Sequence, residues 1–281
     1  MEMTEKLEMR VYGDASLPAL IYLPGLHGDW TLVGSFLHAL GGRVRFVEFT
    51  YPRTLTWSLE DYAREVEAAL AERGIVRGWL LGESFGSQVL WSLVARERFQ
   101  IEGLILAGGF VRHPMRWGVR LAERLCGGIP LALVTRILFG YAKVARFRYR
   151  HAPEVLANIK EFIDRRTELD RDAAVHRLRL IAQHDPRPIA RQVNLPVYAL
   201  TGLVDPIVPW FWVRLWLKKN CPSLREYKII GCADHNVLGT GSQPAAEQVL
   251  RWMTEKQAKA ASLRPTSPIP TADPTADSNG Q

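Results

Sequence analysis

Short apolar runs alternate with stretches of helical periodicity along most of this chain, and this alternation restricts the folds that are open to it. Seven runs have the length and composition of buried or edge strands: residues 7–12, 19–23, 44–49, 79–81, 101–107, 197–200 and 227–230. The stretches with helical spacing are residues 30–40, 58–73, 88–95, 210–217 and 243–259. Strands that alternate with helices predict an α/β fold, with a mostly parallel sheet and helices on both faces.

One region interrupts this alternation. Residues 112–191 have helical patterns and no convincing strand, which predicts a helical insertion between two strands of the sheet. The core would then consist of residues 1–111 and 192–260. Residues 261–281 are rich in Pro, Ser, Thr and Asp and nearly lack large apolar side chains, which predicts a disordered tail.

A serine stands between two glycines where a predicted strand meets a predicted helix, in the sequence Gly82-Glu83-Ser84-Phe85-Gly86. A sharp turn at this junction needs small residues two positions away on each side, and Gly82 and Gly86 meet that need. The turn would project the Ser84 hydroxyl from the carboxyl edge of the sheet. The amide of Phe85, at the start of the helix, would then stabilise a developing oxyanion. The pattern is weak alone, so its meaning depends on a base and an acid elsewhere in the chain.

A serine nucleophile requires a base, and the base requires an acid that fixes its tautomer. His235 follows the last predicted strand, so we expect it at the same edge of the sheet as Ser84. Asp205 follows the strand before that one and is the favoured acid. His184 is the best rival base, but nothing in the sequence places it at that edge. Asp234 adjoins His235, yet side chains of sequence neighbours rarely point at one another.

Four segments in this order resemble the α/β-hydrolase family: LPGLHGDW after an early strand, GESFG at the sharp turn, GLVDPIVP with the acid, and the Asp-His pair at 234–235. The resemblance covers about residues 7–258. It implies Ser84, Asp205 and His235 as a catalytic triad and residues 112–190 as a helical cap over the site.

The same resemblance implies that the amides of Leu26 and Phe85 form an oxyanion hole. Leu26 follows Pro24-Gly25, where the family usually has His-Gly. This difference matters little, because the contribution of Leu26 comes from its backbone N–H. Glu83 stands where many family esterases have His, and the sequence gives no consequence for that change.

The resemblance implies a serine hydrolase that cleaves a carboxylic ester through an acyl-enzyme, as a carboxylesterase or lipase does, without a cofactor. A thioesterase or an acyltransferase on acyl-CoA or lipid substrates is the alternative, because the same acyl-enzyme serves all of these and the acceptor decides. A binding protein that keeps the fold without the activity is the alternative from another class. The sequence has no metal-ligand cluster and no dinucleotide fingerprint.

Positive charge is concentrated in the predicted insertion. The whole chain carries a net charge of +7, whereas residues 112–150 alone contain nine basic side chains and one acidic one. Arg116, Arg120 and Arg124 are spaced by four and would share one face of a helix. This pattern fits a solvated helix face, an anionic membrane surface or an anionic substrate such as a phospholipid or acyl-CoA. Nucleic acid is not an expected partner, because no binding motif accompanies the charge.

The remaining sequence features bear on the compartment and the pocket. The N-terminal ten residues are charged and have no apolar core, so no signal peptide is predicted, and three cysteines do not form a disulfide framework. We expect a cytoplasmic protein, with peripheral membrane attachment as the alternative, whose partner is a small-molecule or lipid ester. The aromatic residues Trp210, Phe211, Trp212 and Trp216 have helical spacing, which predicts core residues, with one of them as a pocket wall.

Overall fold

The computed structural model describes residues 6–128 and 153–262 of the chain. Its centre is a seven-stranded sheet in the order β1-β3-β2-β4-β5-β6-β7, in which β1 is antiparallel to β3 and every other pair is parallel. The strands are β1 (Glu8–Tyr12), β2 (Ala19–Leu23), β3 (Arg45–Thr50), β4 (Arg77–Glu83), β5 (Gln100–Ala107), β6 (Val197–Gly202) and β7 (Leu224–Ile230). All seven predicted strands and the mostly parallel α/β architecture are therefore confirmed.

Helices cover both faces of this sheet. Within the described part of the chain they are α1 (Gly34–Leu40), α2 (Leu59–Glu72), α3 (Gly86–Arg96), α4 (Arg116–Gly128), α5 (Pro153–Asp164), α6 (Glu168–Gln183), α7 (Arg187–Gln192), α8 (Trp210–Asn220), α9 (Val237–Thr240) and α10 (Ser242–Ser262). One hydrophobic core packs α2 and α3 against the sheet, and a second core packs α1, α9 and α10 against its other face. The two cores fix the sheet as a central layer, so that its carboxyl edge carries the loops after β2, β4, β5, β6 and β7.

Local chemistry explains where two of the helices begin. Ser58 caps α2: its hydroxyl accepts from the amide of Asp61, and the Asp61 carboxylate accepts from the amide of Ser58. Helix α1 begins at Gly34 rather than at residue 30 as predicted. The carboxylate of Asp29 accepts from the amide of Thr31 at 3.0 Å, and this local turn competes with the helix.

Four described helices and no described strand lie between β5 and β6, where the insertion is predicted. They are α4, α5, α6 and α7. Residues 129–152 lie outside the described residues, and with them lie five of the nine basic side chains counted above. Most of the predicted disordered tail also lies outside, since α10 runs to Ser262. Binding of an anionic membrane through this segment stays a prediction.

None of the described helices combines the length and the apolar character needed to cross a bilayer.

Candidate active site

The turn between β4 and α3 holds Ser84 in a left-handed backbone conformation. Its φ is +48°, which is unusual for a residue with a side chain and costs on the order of 1–3 kcal/mol. The amide of Ser84 donates to the carbonyl of Ala107 at 3.0 Å, which fixes the turn to the end of β5. A Cβ on Gly82 would lie 2.9 Å from the carbonyl oxygen of Gly86, and a Cβ on Gly86 would overlap the carbonyl oxygen of Leu23. Only glycine fits at these two positions.

Three side chains from separate loops form one chain of hydrogen bonds at the carboxyl edge of the sheet. His235, after β7, has its Nε2 3.0 Å from the Oγ of Ser84 and its Nδ1 2.8 Å from the Oδ2 of Asp205. The Oδ1 of Asp205 accepts from the amides of Ile207 and Val208, at 2.8 and 2.9 Å. The carboxylate of Asp205 is fully buried, whereas His235 retains 17% exposure. The structure thus brings together Ser84, His235 and Asp205, the three residues that the sequence predicts for the triad.

The charges around His235 favour its protonated form. Burial alone would lower its pKa, but the hydrogen bond and charge of Asp205, with the charges of Glu83 and Asp234, outweigh burial. The pKa of His235 is therefore raised above its ordinary value of 6.5. A base whose imidazolium is stabilised in this way can take a proton from a hydroxyl 3.0 Å away.

The two residues that the sequence offers as alternatives to members of this triad have other partners. The Nδ1 of His184 lies 3.0 Å from the amide oxygen of Gln88, and burial lowers the pKa of His184 to about 4. The carboxylate of Asp234 accepts from the amide of Asn236 and the hydroxyl of Thr240, at 3.0 Å each. Asp234 thereby shapes the loop that presents His235 and does not bond its ring.

Two glycines after β5 pack against the loops of the candidate site and were not predicted from the sequence. Gly108 has a φ of +53°, and a Cβ there would lie 2.8 Å from the carbonyl oxygen of His235. A Cβ on Gly109 would lie 2.9 Å from the Cβ of Ser87. The sequence signal is LAGGF, an apolar run that ends in two adjacent glycines without the further glycine of a dinucleotide-binding pattern.

Glu83, immediately before the serine, has a buried side chain. It accepts a hydrogen bond from the phenol of Tyr22. Burial raises the pKa of Glu83 above 4.5, against the opposing effects of Tyr22 and His235. Burial also raises the pKa of Tyr22 well above 10, so the phenol keeps its proton and remains a donor. This pair sits beneath the turn and contributes negative charge near His235.

The amides predicted for an oxyanion hole are available to a ligand. Among the residues that the structure describes, neither Leu26 nor Phe85 donates its backbone N–H to a protein acceptor. The loop that carries Leu26 passes close to the turn, because the backbone at Gly86 touches Leu23. Free backbone donors next to an attacking hydroxyl are what stabilises a tetrahedral oxyanion.

A buried arginine from α6 holds this loop. Arg177 is 1% exposed, and its guanidinium donates to the carbonyl oxygens of Leu26 at 2.9 Å and Pro52 at 3.0 Å. Its Nε donates to the hydroxyl of Tyr62 at 3.4 Å. Gly28 has a φ of +81°, and any Cβ there would overlap the Arg177 guanidinium. The insertion therefore holds the carbonyl oxygen of Leu26 in place.

Two ion pairs strengthen the same attachment. Arg166 and Asp29 pair at 2.6 Å with both side chains less than 10% exposed, and Arg53 pairs with Asp170 at 2.6 Å. The charge of Arg166 helps to hold the pKa of Asp29 well below its usual range, against the effect of burial. The second half of the insertion is thus fastened to the loops after β2 and β3.

Replacing Arg177 by lysine is expected to lower the free energy of unfolding by about 2–4 kcal/mol. Lysine keeps the charge, but a single ammonium cannot reach three acceptors in the planar geometry of a guanidinium, which leaves buried carbonyls unpaired. Urea unfolding measures the change. Arg179→Lys on the same helix is the control, because Arg179 is 55% exposed and pairs with Glu123 at the surface. Equal stability of the two variants would contradict the role of Arg177.

The aromatic residues of α8 differ from the sequence prediction. Only Val213 and Leu217 of this helix are buried, so α8 rests on the sheet along a narrow stripe. Phe211 and Trp212 are more than half exposed. Trp212 and Trp216 line a cavity that adjoins the start of the insertion and does not include Ser84 or His235. The prediction of core residues is wrong for Phe211 and Trp212, because α8 lies at an outer side of the molecule.

No group of three or more His, Cys, Asp or Glu side chains within residues 6–128 and 153–262 is arranged to hold a metal ion.

No protein-family model matches the chain, and no curated protein matches its sequence. Solved structures do match. The enol-lactonase from Burkholderia xenovorans LB400 has a TM-score of 0.71 at 18% identity, over 88% of this chain and 96% of that one. A thermophilic esterase from Thermogutta terrifontis has a TM-score of 0.69 at 18% identity, over 89% and 93% of the two chains. An esterase from Exiguobacterium antarcticum has a TM-score of 0.72 at 12% identity, over 88% and 95%.

At identities this low, the likeness concerns the fold. The sheet order agrees with it, as does the sharp turn after β4 with Ser84 at a positive φ. The chain has the α/β-hydrolase fold.

Proposed function

We propose that this protein is a serine hydrolase that cleaves carboxylic esters through an acyl-enzyme on Ser84. The observation that carries the proposal is the continuous chain of hydrogen bonds from Ser84 through His235 to Asp205. The same fold hosts many activities, so the residues of the site have to support the activity proposed. Esterases with the same fold support ester hydrolysis as the general reaction.

In the proposed reaction, the Oγ of Ser84 attacks the ester carbonyl while the Nε2 of His235 takes its proton. The tetrahedral oxyanion accepts from the amides of Leu26 and Phe85. As the C–O bond breaks, the imidazolium of His235 returns the proton to the leaving alkoxide, and an acyl-serine remains. Water then attacks the acyl carbonyl with His235 as base, which releases the acid and restores Ser84.

Asp205 has two roles in this sequence of steps. Its hydrogen bond to Nδ1 selects the tautomer in which Nε2 is free to accept the serine proton. Its charge favours the imidazolium that forms in each transition state. The amides of Ile207 and Val208 keep the carboxylate in place, so it does not have to reorganise during turnover.

A thioesterase or an acyltransferase would use the same acyl-enzyme and differ only in the leaving group or the acceptor.

An inactive binding protein would keep the fold but not the chemistry. The hydrogen bonds from Ser84 through His235 to Asp205 favour an enzyme, because a binding protein has no need for a nucleophile, base and acid in that order. The described helices of the insertion, α4 to α7, would form the cap of the site.

The test is hydrolysis of p-nitrophenyl esters from acetate to palmitate by the purified chain. We expect turnover well above the buffer rate, with the preferred chain length separating esterase from lipase. A thioester series, followed by release of the free thiol, tests the thioesterase alternative. No turnover of any ester or thioester, together with no reaction of Ser84 with a fluorophosphonate, would contradict the proposal.

The pH dependence of kcat/KM is expected to have an acid limb with its midpoint above pH 6.5. Below the pKa of His235 the ring carries a proton and cannot accept one from Ser84, so activity falls as pH falls. A neutral ester followed from pH 5 to 9 measures the midpoint. The rate of fluorophosphonate inactivation should share it, since both report the free enzyme. An acid limb centred below 6.5 would contradict the raised pKa.

A further inference from the structure

A cavity of about 420 Å³ lies beside the proposed catalytic site, a volume typical of small-molecule sites. It opens between the start of the insertion, α7 and α8. Its lining has three arginines, three tryptophans and no acidic side chain: Arg112, Arg116, Arg187, Trp117, Trp212 and Trp216, completed by Val111, His113, Pro114 and Val213.

Hydrogen bonds connect this cavity to the turn that holds Ser84. The hydroxyl of Ser87 donates to the carbonyl oxygen of Ser84 at 2.6 Å and accepts from the amide of Phe110 at 3.2 Å. Val111, the next residue, is already part of the cavity lining. Another lining residue, His113, is near enough to the triad for the charge of His235 to affect its pKa, which burial mainly lowers. The cavity and the triad therefore share the carboxyl edge of β5 and β6.

The positive charge of the cavity is only partly neutralised. The carboxylate of Asp185 accepts from the Nε and Nη2 of Arg187, at 2.7 and 2.6 Å. The same carboxylate lies 3.3 Å from the Nη1 of Arg112. Arg116 instead donates through Nε to the carbonyl oxygen of Ala182 at 3.0 Å and has no carboxylate partner among the described residues. Among the described residues these three guanidinium groups thus have one carboxylate partner between them, which leaves an excess of about two positive charges.

Two of these arginines are prepared to bind an anion. The bond to Ala182 fixes the Arg116 guanidinium in place, which reduces the entropy that binding would cost. The Nε of Arg112 is buried and has no acceptor in the part of the chain that the structure describes. A buried donor without an acceptor is costly. Burial and the nearby charges of Arg112 and Arg120 lower the pKa of Arg116, as expected where cations lack counter-ions.

The rest of the cavity lining is mainly apolar and aromatic. Trp117 and Trp212 are 68% and 58% exposed, which is rare for a residue that normally buries most of its surface. Tryptophan faces bind planar or aliphatic groups, and guanidinium groups bind carboxylates and phosphates in a bidentate manner. The lining therefore has the chemistry to recognise an anionic head on an apolar body.

We infer, on the basis of the proposed ester hydrolysis, that this cavity is a substrate subsite that binds a carboxylate or phosphate through Arg112 and Arg116. The apolar part of the same substrate lies against Trp117, Trp212 and Trp216, and its ester bond reaches Ser84. The substrates of this protein are then anionic esters. Neutral esters of the same length lack the ion pairs and are bound less tightly.

The first test measures binding without turnover. Isothermal titration calorimetry on Ser84→Ala compares phenyl phosphate and benzoate with neutral benzyl alcohol. We expect both anions to bind more tightly than the alcohol, and the tighter of the two identifies the preferred head group. In the added background Arg112→Gln/Arg116→Gln, affinity for the anions is expected to fall by about 10- to 100-fold, as the loss of charge-assisted hydrogen bonds implies.

Arg120→Gln is the matched control, because Arg120 lies one turn further along α4, is exposed and does not line the cavity. It should leave the affinity for both anions within about twofold. Equal loss in Arg120→Gln and in the double variant would show a general surface-charge effect and overturn the subsite. So would anion binding no tighter than that of benzyl alcohol, or anion binding that the double variant does not weaken.

The second test uses turnover in the chain with Ser84 intact. Mono-p-nitrophenyl esters of four- to eight-carbon dicarboxylic acids are compared with neutral p-nitrophenyl esters of the same chain length. We expect the ratio of kcat/KM for the charged ester to that for its neutral counterpart to fall about tenfold or more in the double variant, mainly through KM. Turnover of neutral esters with no anion binding would overturn the subsite alone, whereas anion binding without turnover of any ester would overturn the ester hydrolysis.

Discussion

Replacing Ser84 by alanine is expected to lower kcat for the best p-nitrophenyl ester by about 10⁴- to 10⁶-fold, because the acyl-enzyme can no longer form. His235→Ala should cost a similar factor. The double variant should be little worse than either single variant, since a nucleophile and its base act as one unit. Initial rates at saturating substrate, with the buffer rate subtracted, measure these losses.

The control for this series is Ser92→Ala. Ser92 is a buried serine of α3 whose hydroxyl bonds only the carbonyl of Gln88 in the described structure, at 3.1 Å, so its loss should leave kcat within about twofold. Additive effects of Ser84→Ala and His235→Ala would mean that the two side chains act independently. That result would contradict the hydrogen-bonded unit seen in the structure.

Replacing Gly86 by alanine is expected to lower the free energy of unfolding by at least about 4 kcal/mol. The added Cβ would overlap the carbonyl oxygen of Leu23 and lie 2.8 Å from that of Pro24. Both obstacles are backbone atoms, so no side-chain rotation relieves the overlap, and β2 would have to separate from α3. Equilibrium urea unfolding measures the loss in stability.

Gly231→Ala is the control, because it makes the same substitution at a glycine with free space around it. A Cβ there meets nothing within 4 Å, and its φ is not left-handed, so stability should change by less than about 1 kcal/mol. A Gly86→Ala variant as stable as Gly231→Ala would show that the contact between β2 and the turn is not tight. The position of Leu26 relative to Ser84 would then need another explanation.

Much of this fold could be predicted from sequence because most of its central strands are short and largely buried. All five residues of β2 are buried, as are all six of β6, and such runs are visible without an alignment. The three residues of the predicted triad each follow a strand, so parallel topology brings them to one edge. The chain of hydrogen bonds through His235 is therefore a direct consequence of strand order.

Other features depend on contacts that no local pattern contains. Arg177 has the spacing of an ordinary polar position on a helix, yet its partners Leu26 and Tyr62 are 151 and 115 residues away in sequence. The exposure of Phe211 and Trp212 depends on where α8 lies relative to the sheet. The cavity beside the triad combines three separate segments, so the sequence predicts its positive charge but not its shape.

The most direct test of the account is the site of covalent labelling by a fluorophosphonate, read by intact mass and peptide mapping. We expect one adduct per chain, on Ser84, absent from Ser84→Ala and formed far more slowly by His235→Ala. A protein that stays unlabelled under conditions where a known serine esterase reacts fully, or that carries the adduct on another residue, would contradict the assignment of Ser84 as the nucleophile.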